Sequence, residues 1–126
     1  MRIATWNVNS IRARQDRVSA LLERENLDVL AIQETKCRPE QFPSEPFTAA
    51  GYEVAVHGAN QWNGVAIISR VGLEDVQRDF PSQPAYANPG KEPVVEPRAI
   101  SATCGGVRIF SLYVPNGREL SHPHSV

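Results

Sequence analysis

An α/β fold that opens on a parallel strand pair is what this chain predicts, from three observations. Its first 36 residues read strand, helix, strand. The residues beyond them read as short β segments separated by turn residues. Finally, 126 residues that are 41% hydrophobic and 21% charged can bury one modest core. Strand, helix, strand within that length is a βαβ unit, with parallel neighbouring strands and a right-handed crossover. The later segments are expected to extend it with antiparallel strands into one mixed β-sheet.

Each element has its own signal in the chain. "RIATWNVN" alternates and is rich in Ile, Thr, Trp and Val, the composition of a strand. "SIRARQDRVSALLEREN" carries Ile11, Val18, Leu21 and Leu22 at helical spacing, with Asn26 placed to end the helix. "LDVLAIQE" is nearly continuous apolar sequence, as in a strand covered on both faces. "RPEQFPSEPF" is a proline-rich connection. "GYEVAVHG", "NGVAIISR", "LEDVQRDF", "RAISATC" and "VRIFSLYVPNG" are successive β segments. Gly105-Gly106 between Cys104 and Val107 signals a two-residue hairpin, because both central positions of that turn need positive φ. "PSQPAYANPGKEPVVEP", with five prolines, is a long loop.

Thirteen Lys+Arg against fourteen Asp+Glu leave a formal charge of −1, so any nucleic-acid site must be local rather than a global basic field. Cys37 and Cys104 form no disulfide framework and belong to no CxxC pair, which fits a reducing cytoplasm. No apolar run approaches the roughly 20 residues that span a bilayer, and "MRIATWNVNS" is no leader. The expectation is a cytoplasmic protein with no membrane partner.

Topology then suggests a site. Parallel strands joined by a crossover helix end on one edge of the sheet, where open α/β sheets place ligands. Asn7, near the end of the first strand, and Glu34, ending the second, should therefore be neighbours. A carboxylate beside a carboxamide oxygen suits Mg²⁺, which binds through one or two carboxylates and keeps waters and phosphate oxygens. Lys36 is close enough to pair with the same phosphate or with Glu34. Taken on spacing alone, a solvated strand-end acid is the commoner use of such a residue. Asn9 and Ser10 can each cap the helix that begins near Ile11. Arg12 and Arg14 lie in its first turns, where the helix dipole is already positive, and an anionic partner would relieve that conflict. Arg12 thus stands as an anion contact, with Asn9 beside it as a phosphate ligand where it is not the cap. A solvated charged face is the alternative for Arg12, and a plain helix cap the alternative for Asn9.

Five segments, "WNVNSIR" (6–12), "IQETK" (32–36), "WNGVAI" (62–67), "EPRAI" (96–100) and "YVPNG" (113–117), resemble in order and spacing the exodeoxyribonuclease III and abasic-site endonuclease family of the endonuclease/exonuclease/phosphatase superfamily. The resemblance implies a DNase I-like fold, half of a four-layer α/β sandwich, and Mg²⁺-dependent (or Mn²⁺-dependent) phosphodiester hydrolysis on double-stranded DNA with abasic sites or 3′ ends. By the same resemblance Glu34 takes the metal and Asn7 sits beside metal and phosphate. Tyr113 matches the active-site tyrosine whose phenol reaches the scissile phosphate or its leaving oxygen. Asn63 and Asn116 match phosphate-backbone contacts. Ordinary readings stand beside these: a half-buried strand aromatic for Tyr113, a plain turn for Asn116, and packing at a strand end for Trp62. His122 and His124 match a loop and complete no tetrahedral metal set, and neither does His57.

The resemblance also implies that residues 1–126 are the N-terminal part of such a domain. The family's Gly-Asp-x-Asn and Ser-Asp-His segments, which handle the nucleophilic water, do not occur in this sequence. The isolated chain is accordingly expected to be catalytically incomplete, or to serve as a DNA-binding or interaction module. The sheet face that a second half would cover is expected to be apolar and to promote self-association.

Overall fold

The computed structural model describes residues 1–59, 62–79 and 98–114. In chain order these form β1 (Ile3–Asn7), α1 (Ile11–Arg24), β2 (Val29–Gln33), a 3₁₀ turn (Pro39–Gln41), α2 (Glu45–Ala49), β3 (Glu53–His57), β4 (Val65–Ser69), β5 (Glu74–Arg78), β6 (Ala99–Cys104) and β7 (Val107–Leu112). Every β segment read from the sequence is a strand. The proline-rich connection holds the 3₁₀ turn and α2, each with Pro in its first turn, where the missing N–H costs nothing. The segment 81–97 and Asn116, His122 and His124 lie outside the described residues.

β1 and β2 pair in parallel as the βαβ unit requires, from Ile3 opposite Val29 to Asn7 opposite Gln33. β4 adds antiparallel to β2, and β3 antiparallel to β4, giving the order β1-β2-β4-β3. The later strands correct the single-sheet expectation: β5, β6 and β7 form a separate antiparallel sheet. The physical reason lies in β2 and β4, which are buried along their whole length and so need a layer on each face. On one face α1 and α2 bring Ile11, Val18, Leu22 and Phe47 against Leu30, Ile32, Ala66 and Ile68. On the other, Ile100, Ala102, Cys104 and Ile109 of the second sheet cover Val29, Ala55, Val65 and Ile67. A helix layer and two sheets thus stand stacked, three layers of the expected sandwich.

The turns use local chemistry. α1 starts at Ser10, whose Oγ accepts from the Ala13 N–H at 3.3 Å. It ends in a Schellman turn: the Asn26 N–H reaches Glu23 O, the Leu27 N–H reaches Leu22 O, and Asn26 takes φ 49°. Gly105 and Gly106 have φ of 56° and 82°, and Cys104 faces Val107 across the hairpin. Among the described residues, no helix is long and apolar enough to cross a membrane. Cys37 and Cys104 are unpaired and buried, and burial pushes both thiols up.

At the end of the sheet remote from Glu34, Asp28 joins the start of β2 to β1 and β4. Its Oδ2 accepts from the Arg2 backbone N–H at 2.8 Å and its Oδ1 from Arg70 Nε at 2.9 Å. These two donors hold its carboxyl below the ordinary 3.8, the Arg2 hydrogen bond being the larger cause. A depressed carboxyl adds stability that is complete above the unfolded value and is lost as pH falls through the folded one. Asp28→Asn is therefore expected to lower the urea midpoint near neutrality, with the gap to the parent chain closing below about pH 3.8. A gap that stays constant into acid would count against this linkage.

Candidate active site

The register draws one line across the first sheet: Asn7 faces Gln33, Gln33 faces Val65, and Val65 faces His57. Just beyond that line the chain segment 34–36 is bonded on both sides. The Val8, Ser10 and Ile11 N–H groups donate to the carbonyls of Gln33, Glu34 and Thr35 at 3.0, 2.8 and 3.1 Å. The Thr35 and Lys36 N–H groups donate onward to Gly64 O and Asn63 O at 3.1 and 3.0 Å. This lattice brings Asn7, Asn9, Glu34, Lys36 and Asn63 to one edge, and for Asn7 and Glu34 the topology of a βαβ unit anticipates it.

The lattice bends the backbone to do so. Asn9, Ser10, Glu34 and Lys36 take φ of 46°, 90°, 56° and 54°, in the left-handed region that costs most side chains roughly 1 kcal/mol or more. Such strain persists only where surrounding bonds over-determine it. Gly64, at φ 125°, is buried, and a Cβ there would fall 2.0 Å from Thr35 Oγ1. Thr35 itself is buried beside the Cys37 thiol, and its Oγ1 has no well-formed hydrogen bond.

The side chains form a chain of polar contacts. Asn7 Oδ1 accepts from the Asn9 N–H at 3.2 Å, and Asn9 Oδ1 accepts from Lys36 Nζ. Lys36 Nζ in turn lies 3.9 Å from Glu34 Oε2, with the two side chains 35% and 20% exposed. Asn9 and Ser10 thus divide the alternatives left by the sequence: Ser10 caps the helix, while Asn9 faces the site. Arg12 is exposed one position into α1, whose first turn holds no acidic residue.

The second sheet is tied to the same end. Ser111 Oγ donates to Ile32 O at 2.8 Å, and Gln33 Nε2 donates to Ser111 Oγ at 3.0 Å and to Thr5 Oγ1 at 2.9 Å. Side chains alternate along β7, so Tyr113 shares the inward face of Ser111 two residues further on. It packs against the inter-sheet core, its N–H donating to Arg98 O at 2.8 Å.

Two features of this rim escaped sequence reasoning. Trp62 is 74% exposed beside Asn63, not buried at the strand end. His57, at the end of β3, meets Asp79, just after β5, with Nε2 2.6 Å from Oδ2, and Asp79 Oδ1 is buried without a partner. This is an Asp-His pair that no sequence motif announces, because the two residues come from different sheets. The left-handed φ of Asp79, 64°, is likewise invisible in sequence.

Glu34 and Asn7 offer hard oxygen donors, and Mg²⁺ fits such a set because it is content with one or two protein ligands. Among the described residues no group of three or more His, Cys, Asp or Glu gathers.

Fold and edge together define a class: a layered α/β protein whose polar groups converge where parallel strands end, beneath a second sheet. The chain belongs to the Endonuclease/Exonuclease/phosphatase family, whose model matches residues 4–124. It is 28% identical over 122 residues to exodeoxyribonuclease III of Haemophilus influenzae, covering 97% of this chain and 44% of that protein. Among solved structures it resembles a Neisseria 3′ phosphatase bound to a product DNA hairpin, with TM-score 0.85 and 35% identity over 98% of this chain and 45% of that one. It likewise resembles an AP endonuclease from Archaeoglobus fulgidus, with TM-score 0.79 and 37% identity over the same shares, 98% and 45%. The chain thus spans less than half the length of these relatives, and the DNase I-like fold read from five short segments is the fold found.

Proposed function

We propose that this chain carries the metal and phosphate corner of a Mg²⁺-dependent DNA phosphodiesterase of the exodeoxyribonuclease III type, acting in base-excision repair at abasic sites and 3′ ends. The observation that carries the reading is the run of contacts from Asn7 through Asn9 and Lys36 to Glu34 at one sheet edge. Glu34 and Asn7 would hold Mg²⁺, or Mn²⁺ in its place, which supplies charge neutralisation at a phosphate. Tyr113 would bring its phenol to the scissile phosphate or the leaving oxygen. Asn9, Arg12, Lys36 and Asn63 would hold backbone phosphates, contacts that position a duplex without reading its sequence. Asn116 takes the same role in this proposal.

On this reading residues 1–126 correspond to the N-terminal part of the domain, and the groups that activate water lie in segments absent from this sequence. Loss of general-base assistance costs about 10² to 10⁴ in rate. Cleavage by the isolated chain is therefore expected to be negligible. Exposed Phe110 and Leu112, on the outward face of edge strand β7, support self-association through a sheet face that further polypeptide would cover. The buried, unpaired cysteines support a cytoplasmic setting.

The testing experiment is cleavage of an abasic-site duplex by the purified chain in Mg²⁺, beside Glu34→Ala. No cleavage, with salt-dependent duplex binding retained, is the expected result and fits a catalytically silent binding module as well. Cleavage that disappears in Glu34→Ala would mean that the catalytic set is complete after all. Cleavage that survives the substitution would remove Glu34 from the reading. A 3′-phosphatase assay on the same DNA addresses the second reading, that of another phosphoesterase of the family.

A further inference from the structure

Among the described residues, a cation beside the Glu34 carboxylate is supplied by the chain itself. Lys36 Nζ lies 3.9 Å from Glu34 Oε2 and donates to Asn9 Oδ1, while Asn9 is held by its own N–H on Asn7 Oδ1. This placement is imposed from the backbone. Glu34 and Lys36 both sit in left-handed conformations, and the Ser10, Thr35 and Lys36 amides are bonded to neighbours on either side. An ordinary exposed lysine loses side-chain entropy in such a contact and gains little; here the lysine side chain is 35% exposed and its ammonium has a carboxamide partner to fix it.

We infer that Lys36 is the internal counter-ion of Glu34, which a divalent cation must displace, so that Lys36 sets the metal affinity of the site and couples metal binding to phosphate binding. The inference rests on the reading of Glu34 as a metal ligand. A divalent ion on Glu34 and an ammonium about 4 to 5 Å away repel each other, enough to weaken metal binding about tenfold even at a water-like dielectric. The simplest relief is for the ammonium to swing off Glu34 and Asn9. Its three N–H donors then become available at the same edge, where a phosphate oxygen can accept them. Metal and phosphate would thereby favour each other's binding, and the coupling is reciprocal.

The test is Mn²⁺ binding to the 126-residue chain at fixed ionic strength, followed by water proton relaxation, with no DNA and no activity readout. Lys36→Met is expected to bind Mn²⁺ about tenfold more tightly than the parent chain. Lys36→Gln, which keeps an amide donor for Asn9 and is the fallback should Lys36→Met fold poorly, is expected to do the same. Glu34→Gln should lose the site with or without the Lys36 change. Unchanged or weaker binding by both Lys36 variants, while Glu34→Gln weakens it, would overturn the counter-ion role and leave the metal reading standing. Binding unaffected by Glu34→Gln, or absent from every protein in the series, would overturn both.

Discussion

Gly64→Ala is expected to be the most damaging Gly→Ala change among the described residues, lowering stability by about 3 kcal/mol or more. Two penalties add. The backbone at φ 125° is closed to most L side chains, and the new Cβ would lie 2.0 Å from Thr35 Oγ1 and 3.3 Å from Thr35 Cβ, both in a fully buried side chain. Thr35 cannot retreat, because its N–H is bonded to Gly64 O on one side and its carbonyl accepts the Ile11 N–H on the other. Gly72→Ala supplies the comparison: φ is 100° there, but nothing lies within 4 Å of the added carbon, so only backbone strain remains. Urea midpoints at unchanged slope would measure the difference. If the two variants lost the same stability, the close approach at the site would not be what demands glycine. Because folded domains hold only about 5 to 15 kcal/mol in total, Gly64→Ala should also disorder the Glu34 to Lys36 segment.

The second large effect is expected at Ile32→Ala, about 3 kcal/mol within the range of roughly 2 to 5 for truncating a buried isoleucine. Ile32 is fully buried in β2, facing the helix layer among Ile11, Ile68 and their neighbours, and has no mobile surface from which to refill the space. Its carbonyl also accepts the Ser111 hydroxyl, so slack at Ile32 loosens the tie that brings β7 and Tyr113 to the site. Ile3→Ala, at a β1 position 45% exposed, should cost under about 1 kcal/mol by the same measurement. A cost for Ile32→Ala as small as that of Ile3→Ala would place Ile32 outside the core.

The two substitutions mark the boundary between local and tertiary information. Ile32 is recognisable as core from "LDVLAIQE", because a continuous apolar run bounded by polar residues requires cover on both faces. Gly64 is not, since its necessity comes from Thr35, a distant residue in sequence that arrives only when β2 and β4 pair. The same division runs through the site. Asn7 and Glu34 can be joined from sequence because a crossover helix leaves parallel strands ending on one edge. The placement of Asn9 against Lys36, and of His57 against Asp79, depends on left-handed turns and on the meeting of two sheets.

By itself, then, the sequence determined the strands, the long helix, the Gly105-Gly106 hairpin, the family, and the edge on which Asn7 and Glu34 meet. These are features of period, turn chemistry and chain direction, carried within a few residues or within one βαβ unit. Only the tertiary structure decided that β5, β6 and β7 form a second sheet, since strand periodicity says which face is apolar and not what that face will cover. It also decided which polar groups became partners across sheets, because hydrogen bonds and close approaches between distant segments are chosen by packing, and packing leaves no local pattern in the chain.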